Sequence, residues 1–60
     1  MAQFEIFIGR DGQYHWRFQA NNNEIVAQSE AYTTKAGAQN GVSVVKAQAA
    51  GASVVDGTGR

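Results

Sequence analysis

Hydrophobic and polar positions alternate along Gln13-Tyr14-His15-Trp16-Arg17-Phe18-Gln19-Ala20. In an extended chain Tyr14, Trp16, Phe18 and Ala20 fall on one side, with His15, Arg17 and Gln19 on the other. That is the period of a half-buried strand, read here as the centre of a small sheet. Phe4 to Ile8 alternates in the same way: Phe4, Ile6 and Ile8 on one face, Glu5 and Phe7 on the other. Its β-branched and aromatic residues favour a strand. Between the two, Gly9-Arg10-Asp11-Gly12 marks a turn, because Gly takes positive φ without a Cβ clash. A hairpin that pairs Ile8 with Tyr14 also pairs Ile6 with Trp16 and Phe4 with Phe18. The opposite face then sets Glu5 across from Arg17 and Phe7 across from His15. The apolar and polar patterns agree on one register.

Asn21-Asn22-Asn23 predicts a second reversal, since Asn tolerates the left-handed region. Glu24 to Ser29 is the third strand. A four-residue loop pairs Ala20 with Ile25, Phe18 with Ala27 and Trp16 with Ser29. A three-residue loop puts Val26 on the core face instead, because a one-residue slip exchanges the faces. The first register is preferred: it brings Glu30 near His15 and Gln28 near Arg17.

From Lys35 to Ala50 the period becomes helical. Thr33-Thr34 supplies a capping hydroxyl. Ala38, Val42, Val45 and Ala49 form one stripe toward the sheet, and Gly51 stands where helices often end in the left-handed conformation. Residues 1–51 thus read as one domain of α+β class: a three-stranded antiparallel sheet followed by one helix, in the order β-β-β-α. Residues 52–60 read as a tail. Val54 and Val55 allow a short extra strand over 52–56, and Gly57 to Arg60 reads as disordered.

Size changes this picture. Sixty residues make one domain, and a chain this short buries only about 60% of its unfolded surface. Much of the 43% hydrophobic fraction is Ala, and there is no Cys for a disulfide. No ligand cluster suggests a metal or other cofactor. Self-association is the remaining common staple, so two copies are expected to pack as a homodimer.

At this point the chain resembles a known family, the YegP-like proteins, small prokaryotic domains of unknown function. The residues that carry the likeness are Phe4-Glu5-Ile6-Phe7, Gly12 to Phe18, Ala20-Asn21-Asn22, Glu24 to Ala27, Ser29 to Lys35, and Ala38 to Lys46. They span residues 3–50. The resemblance implies three antiparallel strands and one helix. Many members carry two such units in tandem, which for a single unit implies two chains doing what the tandem does. The family usually has Gly where this chain has Ala31. The resemblance implies no catalytic or binding residue.

Charge and chemistry then narrow the function. Five basic and five acidic residues give zero net charge, against the basic excess of a dedicated nucleic-acid or membrane-surface binder. The start has no basic segment and no apolar run, so no signal peptide is read. No stretch is long and apolar enough to span a membrane. Absence of Cys fits a cytoplasmic location. One constellation has chemical potential: Glu5, His15, Arg17 and Glu30 on the sheet face away from the helix. His15 oriented by Glu30 is a candidate acid or base; the alternative is a polar cross-strand cluster. Gly37, Gly41 and Val44 form a small-residue stripe, suited to close approach by a partner helix or by the chain's own sheet. The expected role is a non-enzymatic homodimeric interaction or structural module. The alternatives are weak nucleic-acid binding by the dimer, through Arg10, Arg17, Lys35 and Lys46, and a small enzyme built around His15 at the dimer interface.

Overall fold

Alternation and turn chemistry produce the expected hairpin. In the computed structural model, which describes residues 1–59, β1 (Gln3–Ile8) and β2 (Tyr14–Gln19) are antiparallel. The register is Phe4 with Phe18, Glu5 with Arg17, Ile6 with Trp16, Phe7 with His15 and Ile8 with Tyr14. Gly12 closes the turn at φ 76°, and Gly9 N–H donates to Gln13 O at 2.9 Å. The second reversal places Asn23 at φ 67°. Asn23 is the only non-glycine in the left-handed region among the described residues, so Ala31 carries no special backbone angle.

β3 (Ile25–Gln28) completes a sheet of order β1-β2-β3. Phe18 pairs with Ala27 and Arg17 with Gln28, as expected, but Gln19 rather than Ala20 pairs with Ile25. A bulge absorbs Val26. The expected choice between Ile25 and Val26 as the core residue therefore fails on both sides: Ile25 is 46% and Val26 61% exposed. A second irregularity follows. Ser29 N–H donates to Trp16 O, and Trp16 N–H donates to Ser29 Oγ, both at 2.8 Å. The hydroxyl takes the place of a ladder carbonyl. Pairing then resumes as an isolated bridge between Tyr14 and Tyr32. One residue of β2, His15, thus faces two residues across the ladder, Glu30 and Ala31.

Helix α1 (Lys35–Gln48) starts at Thr34, whose Oγ1 accepts from Gly37 N–H at 3.0 Å. It ends in a 3-10 turn over Ala49–Gly51. Gly51 is not left-handed: the chain leaves through this tighter turn and Ala52 is extended (φ −74°, ψ 140°). Residues 52–56 pair with no strand of their own chain, and Val54 is 99% exposed. Asp56 accepts from Thr58 N–H and Oγ1 in a local turn. Arg60, the last residue of the expected disordered tail, lies outside the described residues.

The helix packs over β1 and β2 and leaves β3 uncovered. Phe4 meets Trp16 edge-on at 5.5 Å and lies 4.9 Å from Phe18 between ring centres. Yet among the described residues only Trp16 (8% exposed) and Ala38 (0%) are buried apolar side chains.

Candidate functional site

The sheet has two faces, and β2 serves both. On the face away from α1, alternation aligns Arg17 and His15 with Glu5 and Phe7 of β1. Arg17 Nε–H donates to Glu5 Oε1 at 2.7 Å. The Arg17 guanidinium lies over the Phe7 ring, 4.5 Å from its centre. Phe7 stacks on the His15 imidazole at 5.5 Å and 19°. His15 Nε2 in turn stands 3.1 and 3.2 Å from the two Asp11 carboxylate oxygens. The result is a ladder: Glu5, Arg17, Phe7, His15, Asp11.

Asp11 also accepts the Gln13 backbone N–H at 2.9 Å. That bond, followed by the His15 contact, holds its carboxyl below the usual aspartate range. An ionised carboxylate only accepts, so Nε2 carries a hydrogen. His15 Nδ1 is buried and has no hydrogen-bond partner among the described residues. Gly9 makes the arrangement possible: a β-carbon there would lie 2.9 Å from His15 Cδ2 and Nε2.

The carboxylate beside His15 is thus Asp11, from the turn, and not Glu30. Glu30 is exposed, and its backbone carbonyl accepts from Ser29 Oγ at 2.8 Å. His15 faces both Glu30 and Ala31 across the irregular ladder, and the carboxylate within hydrogen-bond reach of its imidazole is that of Asp11. The signal for Asp11 was present in Asp11-Gly12, read for its turn chemistry alone. A β-turn that reverses the chain also returns its side chain toward the next strand.

The other face carries an open groove of about 370 Å³. Phe4, Trp16 and Phe18 line it with Ala27 of β3, and Val45, Ala49 and Ala50 form its helical wall. Lys46 is the only ionisable residue among those lining it. Alternation puts Trp16 and Phe18 here, on the face opposite to Arg17. Sequence reasoning placed these aromatics under the helix; the helix covers only part of them.

The small-residue stripe divides between two surroundings. Gly41 packs against its own chain: a β-carbon there would lie 2.8 Å from Trp16 Nε1 and 3.0 Å from Tyr32 Cζ. Gly37 is similarly close to Tyr32 and Thr34. Val44 remains 44% exposed. Among the described residues no group of His, Cys, Asp and Glu is disposed to hold a metal ion. No helix there is long and apolar enough to cross a membrane.

A β-β-β-α unit with one helix over two of its three strands is the class of domain that these features define. Residues 10–56 match the domain of unknown function DUF1508, and the chain belongs to that family, the YegP-like UPF0339 proteins. It is 40% identical over 58 residues to the UPF0339 protein Atu5359 of Agrobacterium fabrum, covering 97% of this chain and 94% of that one. It is 41% identical over 46 residues to the UPF0339 protein YegP of Yersinia pestis, covering 77% of this chain but 41% of YegP. In three dimensions it is similar to a solution structure of a protein from Haloferax volcanii. The TM-score is 0.84 at 36% identity, over 92% of this chain and 93% of that one.

Proposed function

We propose that this chain is a non-enzymatic interaction module that works as a homodimer in the cytoplasm. One observation carries the reading. The chain exposes 4840 Å², whereas a folded monomer of this mass exposes about 3,800 Å². The surplus, about 1,000 Å² per chain, matches what each partner gives up in a stable interface of about 2,000 Å² in total. Its main source is the tail, where Val54 and Val55 are 99% and 85% exposed. In the dimer the segment 52–56 adds a strand at a sheet edge, which pairs backbone that is otherwise left to water. The length of YegP, more than twice the stretch it shares with this chain, leaves room for a second unit within one chain. Absence of Cys fits a reducing compartment.

The alternatives draw less support. An enzyme around His15 needs an accessible base, and His15 Nδ1 is buried. Nucleic-acid binding needs several free cations beside stacking aromatics; Lys46 alone lines the groove with Phe4, Trp16 and Phe18, and Arg17 is engaged by Glu5 on the opposite face. Light scattering at micromolar concentration tests the proposal. The expected mass is near twice 6.4 kDa; a well-folded monomer rejects it.

A further inference from the structure

We infer that Asn40 and Gly41, in the middle of α1, form a latent self-modification site that the fold holds closed. Asn40 is the only Asn of the chain followed by Gly. A glycine nitrogen is unhindered by a side chain, and the Gly backbone turns freely. In an open chain the Gly41 nitrogen therefore reaches the side-chain amide carbon of Asn40. A bond forms from Gly41 N to Asn40 Cγ, the Cγ–Nδ2 bond breaks, and ammonia leaves with the proton given up by Gly41 N. Water then opens the resulting cyclic imide on either side. Cleavage between Gly41 N and Cγ leaves an aspartate at position 40. Cleavage between Gly41 N and the main-chain carbonyl carbon of Asn40 leaves an isoaspartate, whose main chain runs through Cγ and is one methylene longer. Water is the only co-reactant, and nothing is oxidised or reduced.

The structure blocks each requirement of that reaction. Both residues lie inside α1 (Lys35–Gln48), where the amide at 41 is directed to the carbonyl four residues earlier. Helical side chains lean toward the N-terminus, which carries the Asn40 amide away from Gly41. Asn40 itself is exposed, so backbone geometry rather than burial protects it. Gly41 is further held by its neighbours: a β-carbon there would stand 2.8 Å from Trp16 Nε1 and 3.0 Å from Tyr32 Cζ. That close fit also decides the fate of the product. An isoaspartate lengthens the backbone just before Gly41 and throws the two halves of α1 out of phase. Ala38, fully buried, belongs to one half, and Val42 and Val45 to the other. The apolar stripe can then no longer meet the sheet as one face. An opening of α1 that lasts long enough for the ring to close is thereby made irreversible. Asn21, Asn22 and Asn23 supply the contrast. They are exposed in the folded chain, but each is followed by a residue whose side chain hinders the attacking nitrogen.

The test holds the chain in mildly alkaline buffer, with and without urea, and then digests it. Trypsin cuts after Arg17, Lys35 and Lys46, which leaves Asn40 as the only Asn of residues 36–46 and puts Asn21, Asn22 and Asn23 in residues 18–35. Mass spectrometry follows the replacement of NH2 by OH in each peptide, and an isoaspartyl methyltransferase labels the isoaspartate. In urea, residues 36–46 are expected to react faster than residues 18–35. In buffer the reaction at Asn40 should slow about thirtyfold or more, since even a marginal fold leaves few chains open. Residues 18–35 should slow far less. Asn40→Gln keeps an amide at an exposed position but must close a larger ring, so it should fold normally and stay unmodified in urea. On return to buffer, chains with the isoaspartate should fail to recover the native Trp16 fluorescence, and chains with the aspartate should recover it. Equal rates at Asn40 in buffer and in urea overturn the protection by the helix. A rate in urea no higher than that of residues 18–35 overturns the site. Full recovery of the isoaspartate chains overturns the irreversibility.

Discussion

The indole of Trp16 and the bare backbone of Gly41 fit against each other. A β-carbon at 41 would stand 2.8 Å from Trp16 Nε1 and would also press on the Tyr32 ring. Trp16 is the largest sequestered side chain of the fold, so it has little freedom to yield. Gly41→Ala sets two effects in opposition. Helix propensity favours Ala by about 1 kcal/mol, and overpacking costs about 1–3 kcal/mol. The steric term is expected to win, with a net loss of about 1 kcal/mol in urea unfolding. Gly51→Ala is the control. Nothing lies within 4 Å of a β-carbon there, and its φ is not positive. It is expected to stabilise by about 0.4–1 kcal/mol through the unfolded chain.

Asp11 makes the hairpin turn sensitive to acid. Its carboxyl lies below the ordinary value of 3.8, first through the Gln13 N–H and then through His15. A folded-state value below the unfolded one stabilises the fold above 3.8. That contribution is lost as pH falls through the lower, folded value. The difference in stability between the native chain and Asp11→Asn is therefore compared on the acid side, from about pH 5 downward. It should shrink once the pH drops below 3.8. Urea titrations of both chains across this range measure it. A difference that fails to shrink below that value would contradict the assignment.

Ser29 takes the place of a ladder carbonyl, with its hydroxyl accepting the Trp16 N–H at 2.8 Å. Trp16 is buried, so its amide would find no ready substitute in water. Ser29→Ala is expected to cost about 1–3 kcal/mol, the penalty of a buried donor left unpaired. The Trp16 amide should also exchange faster with solvent. A change confined to residues 29–31, with Trp16 protection intact, would show that water replaces the hydroxyl.

These residues also explain how much could be read from the chain alone. The β1–β2 register was legible because two faces constrain it together: Phe4, Ile6 and Ile8 on one, Glu5 and Phe7 on the other. β3 lacked that double constraint. Its apolar pair Ile25-Val26 suits either face, and the bulge between them and the Ser29 hydroxyl bond depend on three-dimensional fit rather than period. Asp11 was missed as the partner of His15 because a turn side chain has no period to reveal it. At Gly51 the residue type suited a left-handed exit, but the last carbonyls are met by a 3-10 turn, which needs no positive φ. Gly41 lies against the chain's own Trp16 and Tyr32, and Gly37 against Tyr32 and Thr34, contacts that depend on the fold rather than on the period of the helix.

The surplus surface makes one more prediction, on concentration. A chain with a radius of gyration of 13.2 Å is looser than the about 10 Å of a compact domain of its length. Association that covers the surplus adds its free energy to folding, so the melting temperature should rise with protein concentration. The rise is expected from the intact chain. A chain ending at Gly51 gives up Val54 and Val55 and the strand they add to the partner. It should melt lower, and its melting temperature should depend on concentration more weakly or only at higher concentrations. The comparison separates the two contributions to the interface. If the shortened chain matches the intact one at every concentration, the tail plays no part, and the groove alone supplies the contact. If neither chain responds to concentration, the fold is stable as a monomer and the surplus surface has another use.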